Sequence, residues 1–357
     1  MIRNPGWRWL CPVALLALLL CLSAPNSPAS AQAGGSETVP GGTLGSASDA
    51  EMWRAIRRGV KGNVSIPDQK AATLVQIEGD SFRAFRNGPL ASVGGWALLA
   101  TVVVLAAFLT LRGRIRVDPG LSGRTVLRFN AVERFAHWLT AGSFIVLSLT
   151  GLNILYGKFV LVPLIGQSAF AALTYYGKLA HDYLGFAFIA GVLLMLVIWI
   201  RHNLPNRHDV VWLLKGGGLL VKGVHPPAKK FNAGQKLIFW VVVIGGLSLG
   251  VSGVSLMFPF EFALFSATFE VLNMVGFSLP TDLSPLQETQ LALLWHGVLA
   301  LGMMVIIIAH IYIGSIGMEG AIEAVTTGQV DENWAREHHA LWLDEAAASG
   351  PDTASGD

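Results

Sequence analysis

LLWHGVLALGMMVIIIAHIYIG, Leu293 to Gly314, is apolar enough to sit in lipid, yet it holds His296 and His310. At 3.6 residues per turn, a fourteen-residue separation falls about 40° short of four full turns. Both rings therefore point to nearly the same face, roughly 21 Å apart along the axis. That is most of a hydrocarbon core of about 30 Å. One helix thus offers an imidazole near each side of a membrane.

The rest of the chain agrees with a membrane setting. Of 357 residues, 53% are hydrophobic and 13% charged, and the mean hydropathy is +0.54. Such a composition excludes an ordinary soluble domain. A net charge of +2 gives no reason to expect nucleic acid as a partner; lipid is the expected surroundings. The only cysteines, Cys11 and Cys21, lie in an N-terminal segment that reads as a cleaved signal. Arg3 and Arg8 precede the short apolar run LCPVALLALLLCL, and ASAQA offers small-residue cleavage after Ala31 or Ala33. Its removal leaves no thiol, and so no disulfide, cysteine-bound zinc or iron–sulfur cluster held by this chain.

The expected organisation is a signal peptide over 1–33 and an exported segment over 34–93. An additional transmembrane helix covers 94–112, a four-helix bundle 128–318, and a C-terminal tail 319–357. Spans are expected near 94–111, 135–157, 179–200, 236–258 and 290–315, each close to the length a bilayer requires. The fold class is therefore an all-α integral membrane protein. Six arginines between Arg112 and Arg134, and seven basic residues between Arg201 and Lys236, occupy alternate loops. The positive-inside rule makes those loops cytoplasmic. The mature N-terminus is then periplasmic and the C-terminus cytoplasmic, in the bacterial inner membrane, as a cleaved signal also requires.

Nine histidines fall into two groups. His202, His208, His225, His338 and His339 sit in polar segments and read as solvated. His137, His181, His296 and His310 lie in spans, where ionisable residues are costly and mark function. By the expected topology, His181 and His296 share the outer depth, and His137 and His310 the inner depth. Two imidazoles from facing helices suit the axial positions of a haem iron. Two pairs make a diheme cytochrome b, with all four histidines as iron ligands. No CxxCH motif is present for covalent attachment. Gly185, Gly297 and Gly302 would let a flat macrocycle approach the backbone.

From Arg128 to about Trp342 the chain resembles the gamma subunit, a b-type cytochrome, of membrane-bound bacterial formate dehydrogenases. The resemblance rests on RFNAVERFAHW, GKLAHDYLG, RHNLPNRHDVVWLL, KFNAGQKLIFW, the WH-x13-H arrangement of the last span, and WAREHHALW. The four intramembrane histidines fall on that family's haem ligands. The resemblance implies two b haems and two partners, a molybdenum or tungsten catalytic subunit that oxidises formate and an iron–sulfur subunit. It also implies quinone reduced beside the inner haem, near Asn232, Gly234, Gln235, His310 and Tyr312. Asn232-Ala233-Gly234 reads equally well as a turn before a helix. MWRAIRRGVKGNVSIPD and SFRAFRNGPL resemble the N-terminal extension of longer gamma subunits.

The chain alone is not a complete enzyme, having no dehydrogenase centre. Other readings are the cytochrome of a quinone-linked hydrogenase or thiosulfate reductase, a transporter with a histidine relay, or a purely structural membrane anchor. The relay would lack acidic residues in the central spans.

Overall fold

A computed structural model describes residues 77–218 and 223–348. The expected signal peptide and the exported segment up to residue 76 lie outside the described residues. Residues 77–92 belong to one unit, with helix α1 (Ile77–Phe85) and a π-helical turn, Arg86–Leu90, that contains Pro89. The second unit starts at Val93.

Five helices are long and apolar enough to cross a membrane, and the chain is an integral membrane protein. They include α2 (Ala91–Arg112), α3 (Ala131–Val160) and α4 (Val162–Trp199). Helix α5 (Arg207–Leu214) follows, then the long helix α6 (Ala233–Met257). Helix α7 (Leu264–Met274) leads to the last long helix, α8 (Pro285–Tyr312). Local sequence starts these helices. Asn130 with Glu133, Asn206 with Asp209, Asn232 with Gln235 and Ser284 with Gln287 each form a capping box. Each box satisfies backbone N–H groups that a helix start leaves unpaired.

The third span differs from expectation. Helix α4 is 38 residues long and begins at Val162, not near 179. Residues 167–178 hold no proline and no polar turn cluster, so nothing stops the helix there. The chain breaks instead at Gly166, whose φ of 77° and ψ of 169° suit only glycine.

Helix α3 packs on α4, α4 on α6, and α6 on α8. Small residues allow the close crossings expected where lipid gives no hydrophobic drive between helices. A Cβ on Gly191 of α4 would lie 3.0 Å from the backbone nitrogen of Thr140 on α3, so α3 and α4 touch backbone to backbone there. Val192, Met195, Phe239, Val242 and Met303 fill the bundle interior.

A polar cap closes one end of the bundle. Strand β1 (Thr125–Leu127) pairs antiparallel with β2 (Gln329–Asp331), Val126 opposite Val330. Between Ile115 and Met318 there is an isolated parallel bridge. Helices α9 (Glu323–Thr326), α10 (Glu332–His338) and α11 (Ala340–Ala348) complete the tail. His338 and His339, expected to be solvated, are instead drawn into this cap, with the His338 side chain only 16% exposed. His339 is 1% exposed and its Nδ1–H donates to the Lys229 carbonyl at 2.8 Å, so it is a core residue of the cap and not a solvated one. Its ring also packs against Trp334.

Candidate functional site

His181 on α4 and His296 on α8 face each other, with ring centroids 6.2 Å apart and planes at 58°. Their orientation is set from the other two long helices. Thr150 Oγ1 on α3 lies 2.8 Å from His181 Nδ1, and Ser252 Oγ on α6 lies 2.9 Å from His296 Nδ1. Each hydroxyl already donates its one proton to its own helix, Thr150 to the Val146 carbonyl and Ser252 to the Leu249 carbonyl. A hydroxyl has one proton and two lone pairs, so each can only accept from the imidazole. Both rings then carry their proton on Nδ1 and a lone pair on Nε2.

This is the state an axial ligand needs, with the far nitrogen held by a hydrogen bond that fixes the tautomer. The spacing fits as well. A metal ion held at about 2.0 Å by an imidazole nitrogen on each ring would be accommodated between rings whose centroids are 6.2 Å apart. A Cβ built on Gly151 or Gly253, the residues that follow the two hydroxyls, would lie 3.6 and 3.5 Å from Cε1 of His181 and His296. Beside His181, a Cβ on Gly185 would meet nothing within 4 Å, and the same holds for Gly302 on α8. The donor set fits a haem at this pair.

His137 on α3 and His310 on α8 line one cavity of about 1570 Å³. That exceeds the roughly 300–1,000 Å³ of a pocket for one drug-sized ligand. Among the described residues His137 Nδ1 is buried without a hydrogen-bond partner, so they give this ring no clamp like that at the first pair. Phe188, Phe239 and Met303 contribute apolar walls to the cavity, as a macrocycle requires.

The residues proposed near a quinone line the same cavity: Asn232, Gly234, Gln235, His310 and Tyr312. Asn232 Oδ1 accepts from Gln235 N at 2.9 Å, and Gln235 Oε1 accepts from Asn232 N at 3.1 Å. Their amide oxygens thus start α6, which leaves the amide NH2 groups as the donors available to a ligand. The Tyr312 hydroxyl is buried without a partner. Gly234 lets Trp212 approach, since a Cβ there would lie 2.9 Å from its Cη2.

Several residues of the site escape sequence reasoning. Thr150 and Ser252 look like ordinary small residues of apolar helices; their only signal is a hydroxyl followed by glycine, Thr150-Gly151 and Ser252-Gly253. Arg128 also lines the cavity. It is 3% exposed, with Nε and Nη1 unpartnered, and stacks about 5.2–5.3 Å from Phe129, Trp334 and Trp342. Burial lowers its pKa from 12.5 to about 9, against the raising effect of Glu133. In the adjoining cap, burial pushes His338 down to about 4 and His339 well below the usual histidine range, and raises Glu337.

Residues 128–328 match the family described as prokaryotic cytochrome b561, a range that includes all four intramembrane histidines. The chain is similar to the formate dehydrogenase cytochrome b556(fdo) subunit of Escherichia coli (strain K12). Identity is 31% over 222 residues, which is 62% of this chain and 93% of that subunit. It is similar to the nitrate-inducible formate dehydrogenase cytochrome b556(Fdn) subunit of the same organism, 26% identical over 225 residues, 62% of this chain and 92% of the relative. With the formate dehydrogenase cytochrome b556 subunit of Haemophilus influenzae (strain ATCC 51907 / DSM 11121 / KW20 / Rd), identity is 28% over 229 residues, 63% and 84% of the two chains.

Proposed function

Because the chain belongs to the prokaryotic cytochrome b561 family, we propose that it is the cytochrome b membrane anchor of a formate dehydrogenase. In this role it passes electrons from a periplasmic catalytic subunit and an iron–sulfur subunit to membrane quinone. Relatives named as formate dehydrogenase subunits favour this partner over a hydrogenase or thiosulfate reductase. The observation that carries the electron-transfer reading is the His181–His296 pair, 6.2 Å between centroids with both Nδ1 atoms occupied.

Haem b is the cofactor, two per chain, with His181 and His296 holding one and His137 and His310 the other. Each bound haem supplies a reversible one-electron site. The protein's own part is to orient the ligands. Thr150 and Ser252 fix the tautomer at the first pair, and apolar walls exclude water at the second.

Quinone enters the cavity beside His310. The amide NH2 groups of Asn232 and Gln235 and the Tyr312 hydroxyl suit a quinone carbonyl as hydrogen-bond donors. With the mature N-terminus periplasmic, this end of the bundle is cytoplasmic, and the two protons of quinol formation come from the cytoplasm. Formate oxidation outside and proton uptake inside then charge the membrane, at about 2.3 kcal/mol per charge per 100 mV.

The test is purification of the chain from native membranes. A molybdenum- or tungsten-containing formate dehydrogenase should come with it, and formate should reduce its haem bands. Haems that stay oxidised with formate but reduce with dithionite would overturn the formate assignment.

A further inference from the structure

The polar cap holds a second cluster of metal-binding side chains, on the wall of the cavity that His137 and His310 also line. Donor atoms of Asp118, His225 and Glu337 lie within 4.8 Å of one another, and His338 adjoins them. Asp118 comes from the segment between α2 and α3, His225 from the segment between α5 and α6, and Glu337 and His338 from α10.

Three ligand atoms near Glu337 are left unused among the described residues. Asp118 Oδ2 lies 2.9 Å from His225 Nε2. An ionised carboxylate only accepts, so Nε2 carries the proton and Nδ1 keeps a lone pair. Glu337 spends Oε1 on the Asp118 backbone N–H at 2.7 Å. Among the described residues its Oε2 is buried without a partner, and so is His338 Nε2. Glu337 Oε2 lies 3.9 Å from His225 Nδ1 and 4.0 Å from His338 Nε2. Both separations are too long for hydrogen bonds. The Glu337 side chain is 9% exposed, so an unmatched oxygen there is costly.

We propose that His225 Nδ1, His338 Nε2 and Glu337 Oε2 bind one divalent transition-metal ion of the zinc class, with Asp118 orienting His225 from behind. A tetrahedral ion bonded at about 2.0–2.2 Å holds its ligand atoms about 3.3–3.6 Å apart, so Glu337 Oε2, 3.9 and 4.0 Å from the two imidazole nitrogens, would move about half an ångström toward each. Two imidazoles and a carboxylate are nitrogen and oxygen donors that suit zinc. The Asp118–His225–ion order is the carboxylate–histidine–metal arrangement in which the outer carboxylate fixes the tautomer. The ion joins three separate segments of the cap, and the assignment rests on no part of the formate dehydrogenase reading.

The haem-loaded full chain is purified in detergent without a histidine tag, stripped with a chelator, and dialysed against buffered Zn²⁺. Zinc is then counted by mass spectrometry, and its K-edge absorption is recorded apart from iron. One zinc per chain is expected, in a nitrogen and oxygen shell with two imidazoles. Asp118→Asn should weaken zinc binding ~10–100-fold, while His208→Ala, outside the cluster, should leave it unchanged. His225→Ala should lose the stoichiometric zinc with the haem spectrum unchanged; its exposed position keeps this result independent of tail folding. Glu337→Gln should lose it as well. A wild-type chain that binds no more zinc than His225→Ala, or a zinc shell without imidazole, would overturn the site.

Discussion

Thr150 Oγ1 accepts a hydrogen bond from His181 Nδ1 at 2.8 Å, and that contact gives the first prediction. Donation of the Nδ1 proton raises the basicity of a ligating imidazole and fixes its plane. Thr150→Val removes the acceptor at nearly constant shape. The outer haem should remain, its reduction potential should rise, and its affinity should fall ~10–100-fold. Thr150→Ser should restore both. Redox titration of the haem bands checks this, and an unchanged potential in Thr150→Val would deny the hydroxyl a tuning role.

Haem content is the second. His181→Ala or His296→Ala should lower the pyridine haemochrome yield from two haems per chain to one. His137→Ala should do the same by emptying the other site. A wild-type chain that folds without haem would remove the basis of the functional reading.

The third concerns Asn232, which has two separable jobs. Its oxygen caps α6, worth about 1 kcal/mol in such positions, and the residue lines the cavity with its NH2 not used by that cap. Asn232→Asp keeps the cap and loses the donor. Stopped-flow spectra of this variant should show haems that reduce at the normal rate and reoxidise slowly with quinone. Reoxidation at the wild-type rate would leave Asn232 as a helix cap only.

Orientation is the fourth. A reporter active only outside the cytoplasm should be active when fused after Leu90 and silent when fused after Asp357. The reverse pattern would exchange the inner and outer histidine pairs and move proton uptake to the other face.

The sequence was most readable where one periodicity decides the outcome. Four of the five spans follow from apolar length, and the facing of His181 and His296 follows from their depth and the helical repeat. What escaped it depends on contacts between segments far apart in the chain. The long start of α4 was hidden because a span of bilayer length ends well short of the helix, which runs back to Val162. His339 looked solvated because its burial comes from Trp334 and the Lys229 carbonyl, the latter 110 residues away. Thr150 and Ser252 became visible only once α3 lay against α4 and α6 against α8.

The two hydroxyl–histidine clamps also carry a record of symmetry. Exchange α3 with α6 and α4 with α8, and Thr150 falls on Ser252, Gly151 on Gly253, and His181 on His296. The His181–His296 site thus repeats one hydroxyl–glycine–histidine pattern on its two sides. The inner site breaks that equivalence. His137 stands thirteen residues before Thr150, and the matching position before Ser252 is Phe239. His310 stands fourteen residues after His296, and the matching position after His181 is Met195. Both substitutes are buried apolar residues. The His137–His310 pair therefore has no matching histidine pair on α6 and α4, and its two sides differ in sequence where the two sides of the His181–His296 site agree.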